Sequence, residues 1–403
     1  MKLLVYSHFF APSVGGVENI VLSLARGLAD MRLADGQPEF DLTIITQTPV
    51  SGFDDKTLPF VVVRQPTLIR LWSLIRACDA IHIAGPALTP LLFARWARKP
   101  TVIEHHGYQA VCPNGLLFHH PTQTACPGHF QVRNYGECLR CNRQNEGLWK
   151  SFRLLISTFL RRYLSLGADA NISPTHHVAR RNQMPRSKVI FHGIENLNHL
   201  PPSTTFDPAL FAYLGRLVRE KGLLVLLEAV DLLRRDGCQP FVKIIGDGPE
   251  RINLLKHINV SGLQENFFLT GFLLGDQLDS ALDDVGTVVM PTLMEETAGL
   301  AVMEQMMRER LVIVSDIGGL AEVVGSAGLL FPPGNAPALA ECMKKVMQHS
   351  ELINAMGSKA RERAQVVFAR PTMIAEHAAV YRRLVHPGQT RRNESPGPVV
   401  LSC

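Results

Sequence analysis

Short apolar runs recur along the chain, and longer stretches with apolar positions at helical spacing lie between most of them. In the first half the runs are KLLVYS (2–7), DLTIIT (41–46), FVVVR (60–64), AIHIAG (80–85), PTVIEHH (100–106), ADANIS (168–173) and KVIFHG (188–193). Segments such as VENIVLSLARGLAD, between the first two, carry the three-to-four residue interval of one helix face. The rhythm pauses at the Pro-rich NHLPPSTTFDPA. It restarts with LFAYLG (210–215), PFVKIIG (240–246), NFFLTG (266–271), VGTVVMP (285–291), RLVIVS (310–315) and AGLLFP (327–332). Nearly continuous apolar strands alternating with helices predict parallel sheets covered on both faces. The expected fold class is therefore α/β: two Rossmann-like, doubly wound parallel-sheet domains, 1–195 and 196–370, facing a cleft and joined near 195–207. Residues 371–387 are expected to form a last helix packing back on the first domain. Residues 388–403 lack apolar periodicity and are expected to be a flexible tail.

A length of 403 residues suits two domains better than one core. No apolar run approaches the ~20 residues that cross a bilayer. The opening MKLLVYSHFF reads as a buried strand rather than an export signal, because Ser7 and His8 interrupt it early. A cytoplasmic protein is expected. The formal charge of +5 is mild for this length and points to no nucleic-acid partner.

Candidate chemistry concentrates in PTLMEETAGLAVMEQM (291–306), which follows a strand and holds Glu295, Glu296 and Glu304. Thr297 is expected to cap a helix here, carrying Glu304 about two turns beyond Glu296. Carboxylates so spaced suit a long ligand better than one proton-transfer centre. The amides of Ala298, Gly299 and Leu300 would then offer free N–H groups to an anion such as a phosphate. Taken alone, the stretch fits solvated helix-end charges better. Three further strand-to-helix segments change its weight: YLGRLVREKG, with Gly215, Arg216 and Lys221, where cations can meet a diphosphate; IIGDGPER, with Gly246 and Gly248; and SDIGGLAEVV.

With these segments in this order, the sequence resembles the retaining glycosyltransferase family 4, over roughly residues 3 to 385. The resemblance implies the GT-B fold and transfer of a sugar from a nucleotide-diphosphate sugar donor to a glycan or lipid-linked acceptor. It implies that Arg216 and Lys221 meet the donor diphosphate, Glu296 the sugar hydroxyls and Glu304 the ribose. It also implies that Gly15 and Gly16 of SVGGVE let backbone approach the reacting groups, and that His106 of EHHGY is the functional histidine, with His105 as the competing assignment. The family commonly reads EGFG where this chain has ETAG, so Thr297 and Ala298 leave sugar identity open; His192–Gly193 stands where Asn–Gly is usual. Catalysis would be electrostatic, through Arg216, Lys221 and the amides beside Gly299. No cofactor is expected at the reaction centre, since the chain has no Asp-x-Asp motif to hold a divalent ion. Front-face attack, with the departing phosphate accepting the acceptor's proton, would retain the anomeric configuration. A nucleotide-sugar epimerase on the same fold and a non-catalytic nucleotide-sugar-binding protein are the alternative readings.

Two features lie outside that pattern. Cys112, Cys126, Cys138 and Cys141 fall in one insertion, about 107–147, rich in Gly, Pro and His. Four thiols ending in C-x2-C could hold a structural zinc or an iron-sulfur cluster, with His119, His120 and His129 as substitute ligands; reduced buried thiols are the alternative. KSFRLLISTFLRRYLSLG (150–167) and RLWSLIR (70–76) combine basic and apolar residues. Such helices usually bury one face, but these could also make peripheral contact with an anionic membrane, at its inner, cytoplasmic face.

Overall fold

The structure is a computed structural model describing residues 1–13, 15–50, 52–196 and 206–386. Most of the Pro-rich link and the expected tail at 388–403 lie outside the described residues. The first domain is built on β1 (Lys2–Ser7), β2 (Asp41–Thr46), β3 (Val61–Arg64), β4 (Ala80–Ala84), β5 (Thr101–Glu104), β8 (Ala170–Ser173) and β9 (Ser187–Val189). They form a parallel sheet ordered β3-β2-β1-β4-β5-β8-β9. A small antiparallel hairpin, β6 (Phe118–His119) and β7 (Thr124–Ala125), stands apart in the Cys-rich insertion. Its two-residue strands are too short to leave a periodic signature in the sequence.

The second sheet holds β10 (Leu210–Leu214), β11 (Phe241–Ile245), β12 (Phe267–Gly271), β13 (Thr287–Met290), β14 (Leu311–Ser315) and β15 (Leu329–Phe331). It too is parallel, in the order β12-β11-β10-β13-β14-β15.

Helices α1 (Gly16–Ala29), α2 (Leu68–Ala77), α3 (Leu88–Trp96), α4 (Tyr135–Leu166) and α5 (His176–Asn182) belong to the first domain. The second contains α6 (Leu223–Arg235), α7 (Arg251–Val260), α8 (Gly275–Leu282), α9 (Leu300–Met307), α10 (Gly318–Val324), α11 (Ala336–Gln348) and α12 (Glu351–Val367). The last helix, α13 (Arg370–Val385), returns to the first domain.

Alternation along the strands divides each interior into two layers, since successive side chains point to opposite faces. Leu3 and Val5 of β1 pack with Leu24 and Leu28 of α1 and with Tyr381 of α13. Their neighbours Leu4 and Tyr6 pack instead with Leu71 and Ile75 of α2 and Leu91 of α3. In the second domain Phe211 and Tyr213 join the larger core, while Ala212 and Leu214 face the smaller one. Both faces of both sheets are therefore covered, which explains why the strands read as unbroken apolar runs.

The return of α13 is anchored by polar contacts as well as packing. The Arg382 guanidinium donates to both carboxylate oxygens of Glu39, at 2.5 and 2.7 Å, and Tyr381 Oη lies 2.9 Å from His82 Nδ1. Helix α4 is kinked at Gly147, whose φ of 73° and ψ of 167° are not helical. Segment 135–146 belongs to the Cys-rich insertion and 148–166 runs against α3.

Candidate active site

The loops at the carboxyl ends of β5, β10 and β13 meet the first turn of α1 between the domains, where ligands of open parallel sheets are bound. The cavity there has a volume of about 250 Å³. Gly16, His106 and His192 line it from the first domain, and Gly215, Lys221, Glu296, Thr297, Ala298, Gly299 and Leu300 from the second.

Lys221 reaches the cavity because the loop after β10 ends in a short 3-10 turn, Arg219–Lys221, closed by Gly222 in the left-handed conformation. A Cβ on Gly222 would lie 1.9 Å from the carbonyl oxygen of Pro291, so only glycine lets this loop rest on the end of β13. The contact is tied by hydrogen bonds to Glu220 O from Leu293 N, at 2.8 Å, and the Thr292 hydroxyl, at 3.1 Å. Lys221 Nζ consequently donates to Glu296 Oε1, and the two form a partly buried ion pair. Cation and carboxylate come from loops separated by 75 positions in sequence.

The loop carrying Glu296 differs from the sequence expectation. Thr297 does not cap a helix: α9 begins at Leu300, with Gly299 as the N-cap residue at φ 70°. Residues 295–297 are instead pressed against the start of α10. A Cβ on Gly318 would lie 2.6 Å from Glu296 N, and one on Gly319 2.2 Å from Thr297 O. Gly319 N donates to Glu296 O at 2.6 Å. The two glycines of SDIGG thus shape the carboxylate loop. Glu296 stands off the helix while Glu304 stands on it, so the two-turn geometry of a single helix does not apply.

Glu304 opens into an adjoining hollow of about 400 Å³, lined also by Asn19, Arg26, Leu300 and Arg308. Leu300 belongs to both hollows. Burial raises the pKa of Glu304, and Arg308 pulls against that rise. Glu295, the third acid of the cluster, faces elsewhere: His177 Nε2 lies 2.8 Å from its Oε2, and Arg181 Nε donates to the same oxygen at 2.8 Å. It bridges the domains. The sequence offered no sign of this pairing, because its partners lie on a helix more than a hundred residues earlier.

Other expected residues are placed differently. Arg216 is exposed and lines neither hollow. Gly246 and Gly248 press on the backbone of the β10 loop, where a Cβ would lie 2.0 Å from Gly215 O and 2.4 Å from Leu217 O, respectively. They position that loop and are not in the cavity wall. Gly15 is the N-cap residue of α1, and Gly16 brings α1 to within 3.1 Å of Leu300 Cδ1, measured from an ideal Cβ.

His105 and His106 separate cleanly. His105 points away, its Nε2 2.8 Å from Asn171 Oδ1. His106 faces the cavity and its Nε2 lies 3.5 Å from Glu104 Oε2. Burial lowers the pKa of His106 to about 4, even against the pull of Glu104. Burial opposes ionisation of Glu104 as well, but the surrounding imidazoles outweigh it and hold this carboxyl well below its ordinary range.

Cys112, Cys126, Cys138 and Cys141 are all buried in the insertion, near enough that Cys138 senses the other three. Burial pushes Cys112 and Cys138 up to about 12. Among the described residues, two groups of three or more side chains have ligand atoms within 4.8 Å of one another: Glu104–His106–His192 and His119–His129–Glu137. Neither contains a cysteine. Cys112 Sγ donates to Asn114 Oδ1 and Cys141 Sγ to Phe118 O.

Residues 201–363 match the family model described as "Glycosyl transferases group 1". An alpha-D-kanosaminyltransferase of Streptomyces kanamyceticus is 28% identical over 180 residues, 44% of this chain and 46% of that protein. A 2-deoxystreptamine glucosyltransferase of the same organism is 32% identical over 34% of this chain and 36% of its own length. The chain thus spans less than half the length of these two relatives. The D-rhamnosyltransferase WbpZ of Pseudomonas aeruginosa aligns more fully, at 26% identity over 90% of this chain and 91% of that protein. Among solved structures, Anabaena HepE in complex with UDP superposes with a TM-score of 0.67 and 17% identity, covering 94% of this chain and 99% of its own. Sucrose-phosphate synthase from Thermosynechococcus elongatus gives 0.68 and 18%, covering 96% and 100%.

Proposed function

We propose that the chain, whose residues 201–363 match the group 1 glycosyl transferase model, transfers a sugar, with retention, from a nucleotide-diphosphate sugar to an acceptor hydroxyl. The observation that carries this reading is the cavity between the domains, where Lys221, Glu296 and the amides at the start of α9 converge on one wall. Breaking the donor's glycosidic bond builds negative charge on the leaving phosphate. Lys221 and the α9 amides supply fixed positive charge for it, so departure needs no metal ion on the phosphates. Glu296 accepts hydrogen bonds from the sugar hydroxyls, and Glu304, in the adjoining hollow, accepts them from the ribose. HepE, solved with UDP on the same fold, supports a uridine nucleotide as the first donor to try. An incoming hydroxyl on the donor's front face hands its proton to the departing phosphate, so Glu296 does not act as a nucleophile.

The acceptor is proposed to be lipid-linked, because one face of α4 is unusually apolar for a surface. Trp149, Phe152, Ile156, Phe159, Leu160 and Tyr163 are exposed there, interleaved with Lys150, Arg153, Arg161 and Arg162. No helix among the described residues is long and apolar enough to cross a membrane. A face of this composition suits the headgroup region of an anionic bilayer.

A screen of UDP-, GDP- and ADP-sugars for slow donor hydrolysis, followed by transfer to candidate acceptors, tests the function. One donor class should be consumed, and product should keep the donor's anomeric configuration. Interconversion of sugars without an acceptor would favour an epimerase, and binding without turnover a sensor.

A further inference from the structure

Behind His106 the first domain buries an unusual assembly. Glu104 is fully enclosed, and four histidine Nε2 atoms approach its carboxylate: His82 at 3.2 Å, His106 at 3.5 Å, and His377 and His192 each at 3.6 Å. These residues come from β4, β5 and its following loop, the segment after β9, and α13. Most of the separations are too long for an imidazole–carboxylate hydrogen bond. Both Glu104 oxygens, both ring nitrogens of His106 and of His192, and Nε2 of His82 and His377 are buried without a hydrogen-bond partner. Buried polar atoms left unpaired in such numbers are costly, and a bound ion or water among them would satisfy them.

The separations themselves indicate what that group is. Ligands bound to zinc at about 2.0–2.1 Å in tetrahedral geometry stand about 3.3–3.4 Å from one another. The two cavity-lining histidines, His106 and His192, stand 3.5 and 3.6 Å from Oε2 and Oε1 of Glu104, a little beyond that value. His377 donates from Nδ1 to Met373 O at 2.8 Å, which holds its ring in place beside the carboxylate.

We propose that Glu104, His106 and His192 bind a divalent first-row transition ion, zinc foremost, with one coordination position open to the cavity. Nitrogen and carboxylate-oxygen ligands suit that ion, and three protein ligands plus an open position is the arrangement of sites that also bind an exogenous oxygen. His106 and His192 both line the cavity, which puts the open position on that side. The ligand it takes is a hydroxyl oxygen, from water or a sugar. His82 and His377 stand around the carboxylate as support, each held through Nδ1 by α13. The ion belongs to the first domain's wall, whereas the positive charge for the diphosphate comes from the second. The site therefore goes beyond the transfer reading and does not depend on it.

The test is the metal content, and the identity of the ligand atoms, of the untagged full-length protein after loading with Zn²⁺ and dialysis into metal-free buffer. X-ray absorption at the zinc edge should show nitrogen and oxygen neighbours at about 2.0–2.1 Å. His192→Asn and Glu104→Gln should each lose one equivalent relative to the wild type, with Cys138→Ser retaining it. Less than about a tenth of an equivalent in the loaded wild type would overturn the proposal. So would sulfur neighbours alone, or unchanged zinc in both folded variants. Where a substitution prevents folding, His119→Ala decides, since His119–His129–Glu137 would give the same nitrogen and oxygen neighbours: zinc lost from that folded variant overturns the proposal, and zinc retained supports it. Donor turnover, measured separately, does not depend on that result and reports on the transfer reading.

Discussion

Lys221 and Glu296 form an ion pair, and the proposed function gives each a second partner: the donor diphosphate for the lysine, the sugar hydroxyls for the carboxylate. Lys221→Ala and Glu296→Ala should each lower kcat/KM by about 10²–10³, the scale of losing one preorganised electrostatic contact. Donor turnover beside thermal melts checks this: near-native activity in both folded variants would contradict the assignment. Glu304 carries a pH signature. Burial raises its pKa above 4.5, so the native state holds this proton more tightly than the unfolded chain. Its contribution to stability is thus lost as pH rises from 4.5 through the raised value. Donor binding has the opposite sign, because the ionised carboxylate is the better acceptor: affinity is full above the raised value and falls as pH drops through it. The donor KM should climb at a pH above the ordinary carboxylate range, and Glu304→Gln should flatten that limb. A wild-type limb at or below 4.5 would contradict the placement.

At the scale of elements, the site is assembled by glycines that let loops touch. Gly222 admits the Lys221 loop to the end of β13, and Gly319 admits the Glu296 loop to α10. In Gly319→Ala the new methyl cannot be accommodated without moving Thr297 O. The expected outcome is a drop in kcat of about a hundredfold, typical of a displacement near 1 Å, with the cation and carboxylates all still present. Unchanged kcat would show that the loop is not held there. The sequence made the elements legible because buried parallel strands have no solvent face to interrupt their apolar runs. The same pattern could not reveal where α9 starts. A threonine before an apolar periodic run looks like a cap, and only the crowding of Gly318 and Gly319 against 295–297 forbids the helix from beginning there. Gly246 and Gly248 read as ligand-facing because strand-end glycines often are; here the close neighbour is the backbone of Gly215 and Leu217.

Across the whole molecule, the two sheets are held in register by contacts that no local pattern announces. Thr175 Oγ1 donates to Thr297 O at 2.9 Å, and Glu322 accepts from the amides of His176 and His177 at 2.8 and 2.9 Å. Glu295 completes this lock through Arg181, and α13 closes it from behind. These links pass within one residue of Glu296, so domain orientation and the site are set together. The grouping of four histidines around Glu104 was invisible for the same reason: β4, β5, the segment after β9 and α13 meet only in the fold. The exposed aromatic face of α4 predicts flotation with liposomes containing anionic lipid and none with neutral ones, reduced by Trp149→Ala combined with Phe152→Ala; equal absence from both floats would remove membrane docking. The proposed chemistry turns on where the donor sits, and a crystal structure with a bound nucleotide diphosphate locates it. Diphosphate oxygens are expected within hydrogen-bonding reach of Lys221 Nζ and the Leu300 amide, with the ribose against Glu304. A nucleotide bound away from both hollows, with the Lys221–Glu296 pair undisturbed, would contradict that location.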